Sequence, residues 1–570
     1  MDGNGAGLRS CQNCKQEFRI EPEDFDFYEK IKVPPPTWCP QCRMIRRFAF
    51  TNIWNLYKRS CDKCGKNIIS IYSPDKPVIV YCQPCWWADD WDGTEYGLDY
   101  DPSRPFFEQV QELSAKAPRS ALESAYLTLK NTEYANALGH SKNCYLIFWA
   151  DYCENAFYSS FLNGLKDSLD CYRMKDSELC YEDVGCNKCY RTFFSEECDA
   201  CNDVWFSRNC TGCTNCFGCV NLRNKNYYIW NEQYTKGEYF KKLSELRVDS
   251  RGVLIDLRKR AYEFWNKHPR RVYTGSALNV RVTGDYIYES KNTHDAYMVA
   301  GAEDSRYAQF VSVPHARDCY DYSGWGNGAE KIYEAAVVGE GANGVKFSFE
   351  CWPDALDNEY SIYAISCKHV FGCVSLKRKH YCILNKGYPK EEYERLVSQI
   401  KKDMERNPYR DPQGRIWSYG EFLPINLSLF AYNESLAHAY FPKTEKESLA
   451  SGFKWHEFTA TPYTATKQWV DMPDTLAETP DTILQEVIAC ASCGKAFCIV
   501  SGELALMKNL SIPLPRECPT CRHNARFVRT NPPRLYNRSC QKCSRPIQTS
   551  YAPERPEIIY CEECYKVEIA

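Results

Sequence analysis

The sequence has no run of 18 or more apolar residues, so it offers no candidate membrane-spanning helix. It opens on MDGNGAGLRS, which lacks the basic patch and apolar stretch of a secretory leader. An excess of charge of one sign is also missing. The 71 Lys and Arg stand against 74 Asp and Glu, a net charge of −3, so any nucleic-acid contact must come from local patches. No P-loop, dinucleotide fingerprint, H-E-x-x-H or nucleophile elbow occurs, and the nine histidines are scattered. His315 and Cys319 come nearest to a base and a nucleophile. Cys319, however, falls in a repeat opposite Cys171, which reads as core packing. A chain of 570 residues is too long for one ordinary core, and roughly three to five folding units are expected.

Cysteine is what the chain has in quantity, 34 residues in all. With no export signal and many C-x-x-C pairs, thiolate metal sites in a reducing cytoplasm are a better reading than a secreted disulfide framework. The two ends are copies of each other. Cys11, Cys14, Cys39, Cys42, Cys61, Cys64, Cys82 and Cys85 recur as Cys490, Cys493, Cys518, Cys521, Cys540, Cys543, Cys561 and Cys564, each 479 residues later. Zinc takes four thiolates in a tetrahedron, and two C-x-x-C knuckles close one site. The reading is two structural zincs per end and four per chain. Cys11, Cys14, Cys39 and Cys42 would form the first site and Cys61, Cys64, Cys82 and Cys85 the second, with an interleaved cross-brace as the alternative. Closed sites of this kind leave no coordination position for a substrate and offset the small core of a short module.

The residues support a resemblance. C-x-x-C followed by Phe18, the acidic-aromatic DFDFYEK and the knuckle P-x-x-C-x-x-C-R resemble the zinc-ribbon family of treble-clef type. CDKCGKNIISIYSPDKPVIVYCQPCW resembles a compact zinc ribbon. The whole arrangement, with its NCY-type repeats and the block AYNESLAHAYFPKTEKESLASGFKW at 431–455, resembles a group of cysteine-rich double-zinc-ribbon proteins from bacteria with very small genomes. That resemblance covers nearly the whole chain and implies no established activity.

Each end also carries a basic run. From Arg43 to Lys66 seven cations face one acid, and from Arg516 to Arg545 eight face one acid. Arg43, Arg46, Arg47, Arg522, Arg526 and Arg529, set among aromatics, are candidate contacts to phosphate and bases. The competing reading is a solvated face with the rings in a small core.

The other 18 cysteines are Cys498 and 17 within 131–405, where a Cys-aromatic step recurs. Tyr158, Tyr181, Trp205 and Tyr228 are spaced by 23, 24 and 23 residues, which suggests a parallel β-helix or β-solenoid of about 24 residues per coil. The middle is itself duplicated. FGCVNLRNKNYYIWNEQYTKGEYFKKL from 217 answers FGCVSLKRKHYCILNKGYPKEEYERL from 371, and each copy leads into a helix. In the run CTGCTNCFGC, Cys210 and Cys216 are answered by Ala364 and Val370, as suits interior positions. A third-residue spacing does not suit a flat strand, so packing, a further zinc and an iron–sulfur site all remain readings for these thiols and for the nearby Cys186, Cys189, Cys198 and Cys201.

The expected fold is mainly β with some α: a duplicated parallel β-helix or β-solenoid between two double-zinc modules of treble-clef plus zinc-ribbon type. The expected segments are a zinc module at 1–92, a helical connector at 93–130, solenoid halves at 131–271 and 272–405, a wrapping linker at 406–489 and a zinc module at 490–570. The expected function is a non-enzymatic, cytoplasmic zinc-binding scaffold or adaptor touching RNA, DNA or a ribonucleoprotein through its basic modules, with no membrane contact. The alternatives are a structural or self-assembling protein-interaction scaffold, and a redox or iron–sulfur protein using the central cysteines.

Overall fold

The computed structural model describes residues 7–276, 278–458 and 463–569. Residues 1–6 of the opening segment and 459–462 of the expected wrapping linker lie outside the described residues. The fold is mainly β, with 29% strand and 24% helix. It divides into two units that are each discontinuous in sequence. One comprises Met1–Leu122 with Tyr273–Glu457, and the other Glu123–Val272 with Phe458–Ala570. Each cysteine-rich end therefore shares a unit with the half of the middle that is more distant from it in sequence.

A parallel ladder forms the centre of each unit. In the Glu123–Val272 unit, Phe148 pairs with Ser160, which pairs with Tyr172. Tyr190, Asn202, Thr214 and Asn226 continue in the same way. Residues in matching places on successive steps, such as Asn143, Asn155 and Asp167, stand 12 apart. The step is thus half the coil length expected, and of the spaced aromatics only Tyr181 and Trp205, 24 apart, stand two steps apart in register. The reason is a triplet. Every third residue from Ala137 to Trp230 has a positive φ, for example 55° at Asn143, 50° at Leu146 and 52° at Trp149. The residue that follows each of these is buried over long stretches, as in Cys144, Ile147, Ala150, Cys153 and Ala156. A left-handed residue redirects the chain, so burial recurs at every third position and not at every second.

That backbone is costly for side chains other than glycine, and the ladder offsets the cost. The turning residue donates its N–H one step back, Asn155 to the Lys142 carbonyl at 3.1 Å and Tyr158 to that of Tyr145 at 3.0 Å. Asn and Asp, which tolerate this conformation best, recur here and bond to one another: Asn143 Nδ2 donates to Asn155 Oδ1 at 3.3 Å, and Asn155 Nδ2 to Asp167 Oδ1 at 2.8 Å. In the Tyr273–Glu457 unit the step varies. Lys291 pairs with Glu303 at a step of 12, Arg306 with Tyr320 at 14, Tyr320 with Tyr333 at 13, and Lys368 with His380 at 12 again.

Both ladders end alike. A short antiparallel return pairs on the last strand, at Glu232–Gln233 and at Lys386–Gly387. A helix follows, Lys236–Glu245 with its Thr235/Glu238 capping box or Lys390–Arg406. These elements cover an edge that would otherwise present unpaired backbone. Within 406–489, Thr444 caps a short helix, Glu445–Ala450, through a capping box with Glu447. A 3₁₀ turn, Asp481–Gln485, follows later in this segment with Pro480 as its cap.

Candidate metal centres

The two ends share one local design. In each knuckle the first cysteine begins a tight turn. The Cys11, Cys61, Cys490 and Cys540 carbonyls accept from the residue four further on, at 2.9, 2.9, 3.0 and 2.8 Å. That fourth residue is left-handed in every copy: Lys15, Gly65, Gly494 and Ser544, with φ of 62°, 73°, 70° and 62°. The third cysteine of each group stands where a helix starts. Cys39 and Cys518 are the N-caps of Pro40–Phe48 and Pro519–Phe527, with proline in the first turn. Cys82 caps Gln83–Trp87 in the same way. The backbone N–H groups of Cys39, Cys82, Cys518 and Cys561 donate to the sulfurs of Cys11, Cys61, Cys490 and Cys540 at 3.2, 3.2, 3.1 and 3.2 Å. Such donors, together with a helix N-terminus, favour thiolate over thiol.

The sulfurs gather in four consecutive groups, not interleaved ones: Cys11, Cys14, Cys39 and Cys42; Cys61, Cys64, Cys82 and Cys85; Cys490, Cys493, Cys518 and Cys521; Cys540, Cys543, Cys561 and Cys564. Within each group all four ligand atoms lie within 4.8 Å of one another. The Cys14–Cys39, Cys64–Cys82, Cys493–Cys518 and Cys543–Cys561 sulfur separations are 3.8, 3.9, 3.8 and 3.8 Å. Four ligands at about 2.3 Å from one ion sit about 3.8 Å apart along a tetrahedron's edges. The spacing therefore fits a shared ion and is far too long for a disulfide.

The central cysteines behave differently. Cys210, Cys213, Cys216 and Cys219 are the four inward residues of a single step of the ladder, and all are fully buried. Each thiol donates to the carbonyl two residues before it, to Arg208, Thr211, Thr214 and Phe217 at 3.6, 3.6, 3.5 and 3.4 Å. The N–H groups of Cys171 and Cys219 donate to the hydroxyls of Ser159 and Ser207 one step earlier, at 2.9 and 3.0 Å. The interior is narrow and lined by backbone polar atoms. A small side chain with a weak donor suits it, which accounts for the alternation of Cys, Ser and Ala. Burial pushes the thiols of Cys153 and Cys367 up to about 12. Among the described residues, no group of sulfurs from this region is arranged to hold an ion.

The six arginines read as phosphate contacts require a correction. They point inward. Arg46, Arg47 and Arg526 have none of their surface exposed, and Arg43 and Arg522 only 1% and 2%. Arg43 pairs with Asp321 at 2.8 Å. Arg46 pairs with Glu334 at 2.5 Å and Glu421 at 3.0 Å, and lies over the Trp38 ring at 4.4 Å. Arg47 pairs with Glu334 at 2.8 Å. In the other unit Arg522 pairs with Asp170 at 2.5 Å and Glu503 at 3.0 Å, Arg526 with Asp170 at 2.8 Å, and Arg529 with Glu196 at 2.7 Å. The ladder acids Asp170, Glu182, Asp321 and Glu334 are all left-handed turn residues, on neighbouring steps. These six arginines are thus neutralised at buried docking faces and are not available as a surface field, whereas Lys58, Lys66, Arg534 and Arg545 of the same runs are exposed. Sequence reasoning missed these carboxylates. Their signal was acids one step apart in each half, matching arginines repeated at the two ends.

No family model matches the chain, and no curated protein matches it. A solved structure from Desulfovibrio desulfuricans G20, described as a "putative acetyltransferase", aligns over 51% of this chain and 86% of its own length at 11% identity. Its TM-score is 0.10, and the likeness carries no argument. Among the described residues no helix is long and apolar enough to cross a membrane.

Proposed function

We propose that the protein is a non-enzymatic scaffold stapled by four structural zincs. In this reading each parallel ladder is a β-solenoid whose coil has four three-residue sides. Each cysteine-rich end is a treble clef followed by a zinc ribbon and clamps one solenoid. Zinc would be held by the four thiolate groups described above. It supplies folding free energy to modules too small to build a full core, and no open position for substrate. The observation that carries the reading is the burial of the module arginines against ladder carboxylates in both units. Such a face makes the module a clamp and leaves the outward turns of the ladder as the surface for protein partners or self-association, in the cytoplasm. The inward Cys–carbonyl contacts favour packing over a redox role for the central thiols.

Metal analysis with an absorption spectrum, on protein purified without oxygen, tests this. Four zincs per chain and no visible colour are expected. Iron with absorbance near roughly 400 nm would replace the reading with a redox protein, and fewer than four metals would remove at least one staple.

A further inference from the structure

A cleft of about 430 Å³ opens at the end of the second ladder, with Lys368, His369, Arg378, Lys379, His380 and Tyr381 on its walls. Lys368 and His380 are register partners on adjacent strands. Arg378 and Tyr381 occupy left-handed turns, with φ of 54° and 52°. The His369 and Tyr381 rings stack at 5.1 Å with planes 5° apart. Acids answer part of this charge: Asp92 pairs with Lys379 at 2.5 Å, and Asp357 lies 3.5 Å from His369. Lys368 and Arg378 are exposed and, among the described residues, have no carboxylate partner.

The duplication supplies an internal control. In the first copy, the residues answering Lys368, His369, Arg378 and His380 are Thr214, Asn215, Asn224 and Asn226, whereas Lys225 and Tyr227 match Lys379 and Tyr381. Thr214 and Asn226 pair in the same register as Lys368 and His380. The rungs therefore form equally well with neutral residues, and packing does not require the cations. Lys368 and Arg378, exposed and without a carboxylate partner among the described residues, present positive charge that a polyanion would answer.

We propose that this cleft binds single-stranded nucleic acid. Lys368 and Arg378 would meet successive phosphates, and the His369–Tyr381 edge would contact a base. The cleft walls carry no aliphatic side chain of the kind a membrane-inserting site would use. The proposal goes beyond the scaffold reading, which rests on the metals and the buried arginine faces and not on this cleft.

The test is fluorescence anisotropy with the full-length protein and labelled mixed-sequence oligonucleotides roughly 12 nucleotides long, RNA and DNA in parallel. The comparison variant carries the residues of the first copy: Lys368→Thr, His369→Asn, Arg378→Asn and His380→Asn. The wild type is expected to bind at least one oligonucleotide. The variant should lose about tenfold or more in affinity, and its salt slope should shrink by about 1.4, or 0.7 for each of the two lost permanent cations. If the fourfold variant fails to fold, Lys368→Gln with Arg378→Gln gives the same readout. Absence of binding by the wild type, equal binding by both proteins, or binding of anionic vesicles without either oligonucleotide would overturn the proposal.

Discussion

An inward residue on these ladders faces two demands at once. It must fit the space between successive steps, which takes Ile147 as well as Cys144 and Ala150, and it must tolerate carbonyl oxygens and N–H groups nearby. Cysteine meets both, and so do serine and alanine, which explains why Cys210 and Cys216 are answered by Ala364 and Val370 in the second copy. We expect Cys210→Ala combined with Cys216→Val to change stability by no more than about 1.5 kcal/mol, as volume-matched core changes do, and to leave the metal content unchanged. Urea denaturation and metal analysis check this, and a loss of bound metal would make these thiols ligands. The buried arginines should be far less tolerant. Arg526 donates to the Tyr158 carbonyl at 2.8 Å and pairs with Asp170, and the whole side chain is buried. Arg526→Ala strands Asp170 with a single partner and should cost about 3–5 kcal/mol. Arg526→Lys should recover little, because an ammonium cannot reproduce the planar fork. An arginine serving only as a phosphate contact would show no such loss in denaturation.

At the level of the element, the unit of folding is one step of the ladder. Four triplets return the chain to the same register, so deleting one whole step preserves the phase of every inward position. Removing one residue fewer moves each buried side chain to a turn or an outward position, as a register slip does in any ladder. Deleting residues 142–153, near the start of the first ladder, should therefore leave a folded protein with a full metal complement. Deleting 142–152 should not. Circular dichroism melting and limited proteolysis distinguish the two, and equal damage from both would refute the triplet rule. How much of this was legible depends on the element. The cysteine groups could be read directly, because a four-thiolate ion site restricts ligand type and spacing and the copies share every spacing. The helix caps at Thr235 and Thr444 are local signals, each a Thr three residues before the Glu that completes its capping box. The step length was not legible from the aromatics. Tyr181 and Trp205 stand two steps apart in register, but Tyr158 and Tyr228 fall at other places in the triplet, and the left-handed turns were hidden because residues such as Trp149, Phe161 and Arg173 occupy them beside Asn and Asp. The third-residue cysteine spacing did carry the information. It pointed away from a flat strand, but only backbone dihedrals show where the chain turns.

For the whole molecule, sequence order and packing order differ. The first module shares a compact unit with the second ladder, and the last module with the first ladder. No linear reading could show this, since both modules carry the same arginines and both ladders carry acids one step apart. The arrangement predicts where damage should spread. In Cys493→Ser, the loss of one thiolate should release the ion of that group, because structural sites of this type couple metal binding to folding. The Pro519–Phe527 helix begins at Cys518 of the same group, and its Arg522 and Arg526 hold Asp170. Hydrogen exchange should accordingly rise around Tyr158–Glu196, a segment distant in sequence from the altered cysteine. Cys14→Ser should act through the Pro40–Phe48 helix and its Arg43, Arg46 and Arg47 on the segment around Gln309–Glu334. In each variant the ladder of the other unit should keep its protection. If Cys493→Ser instead loosened Gln309–Glu334 and left Tyr158–Glu196 protected, the crossed pairing of modules and ladders would be wrong, and the buried arginine faces would lose the role given to them here.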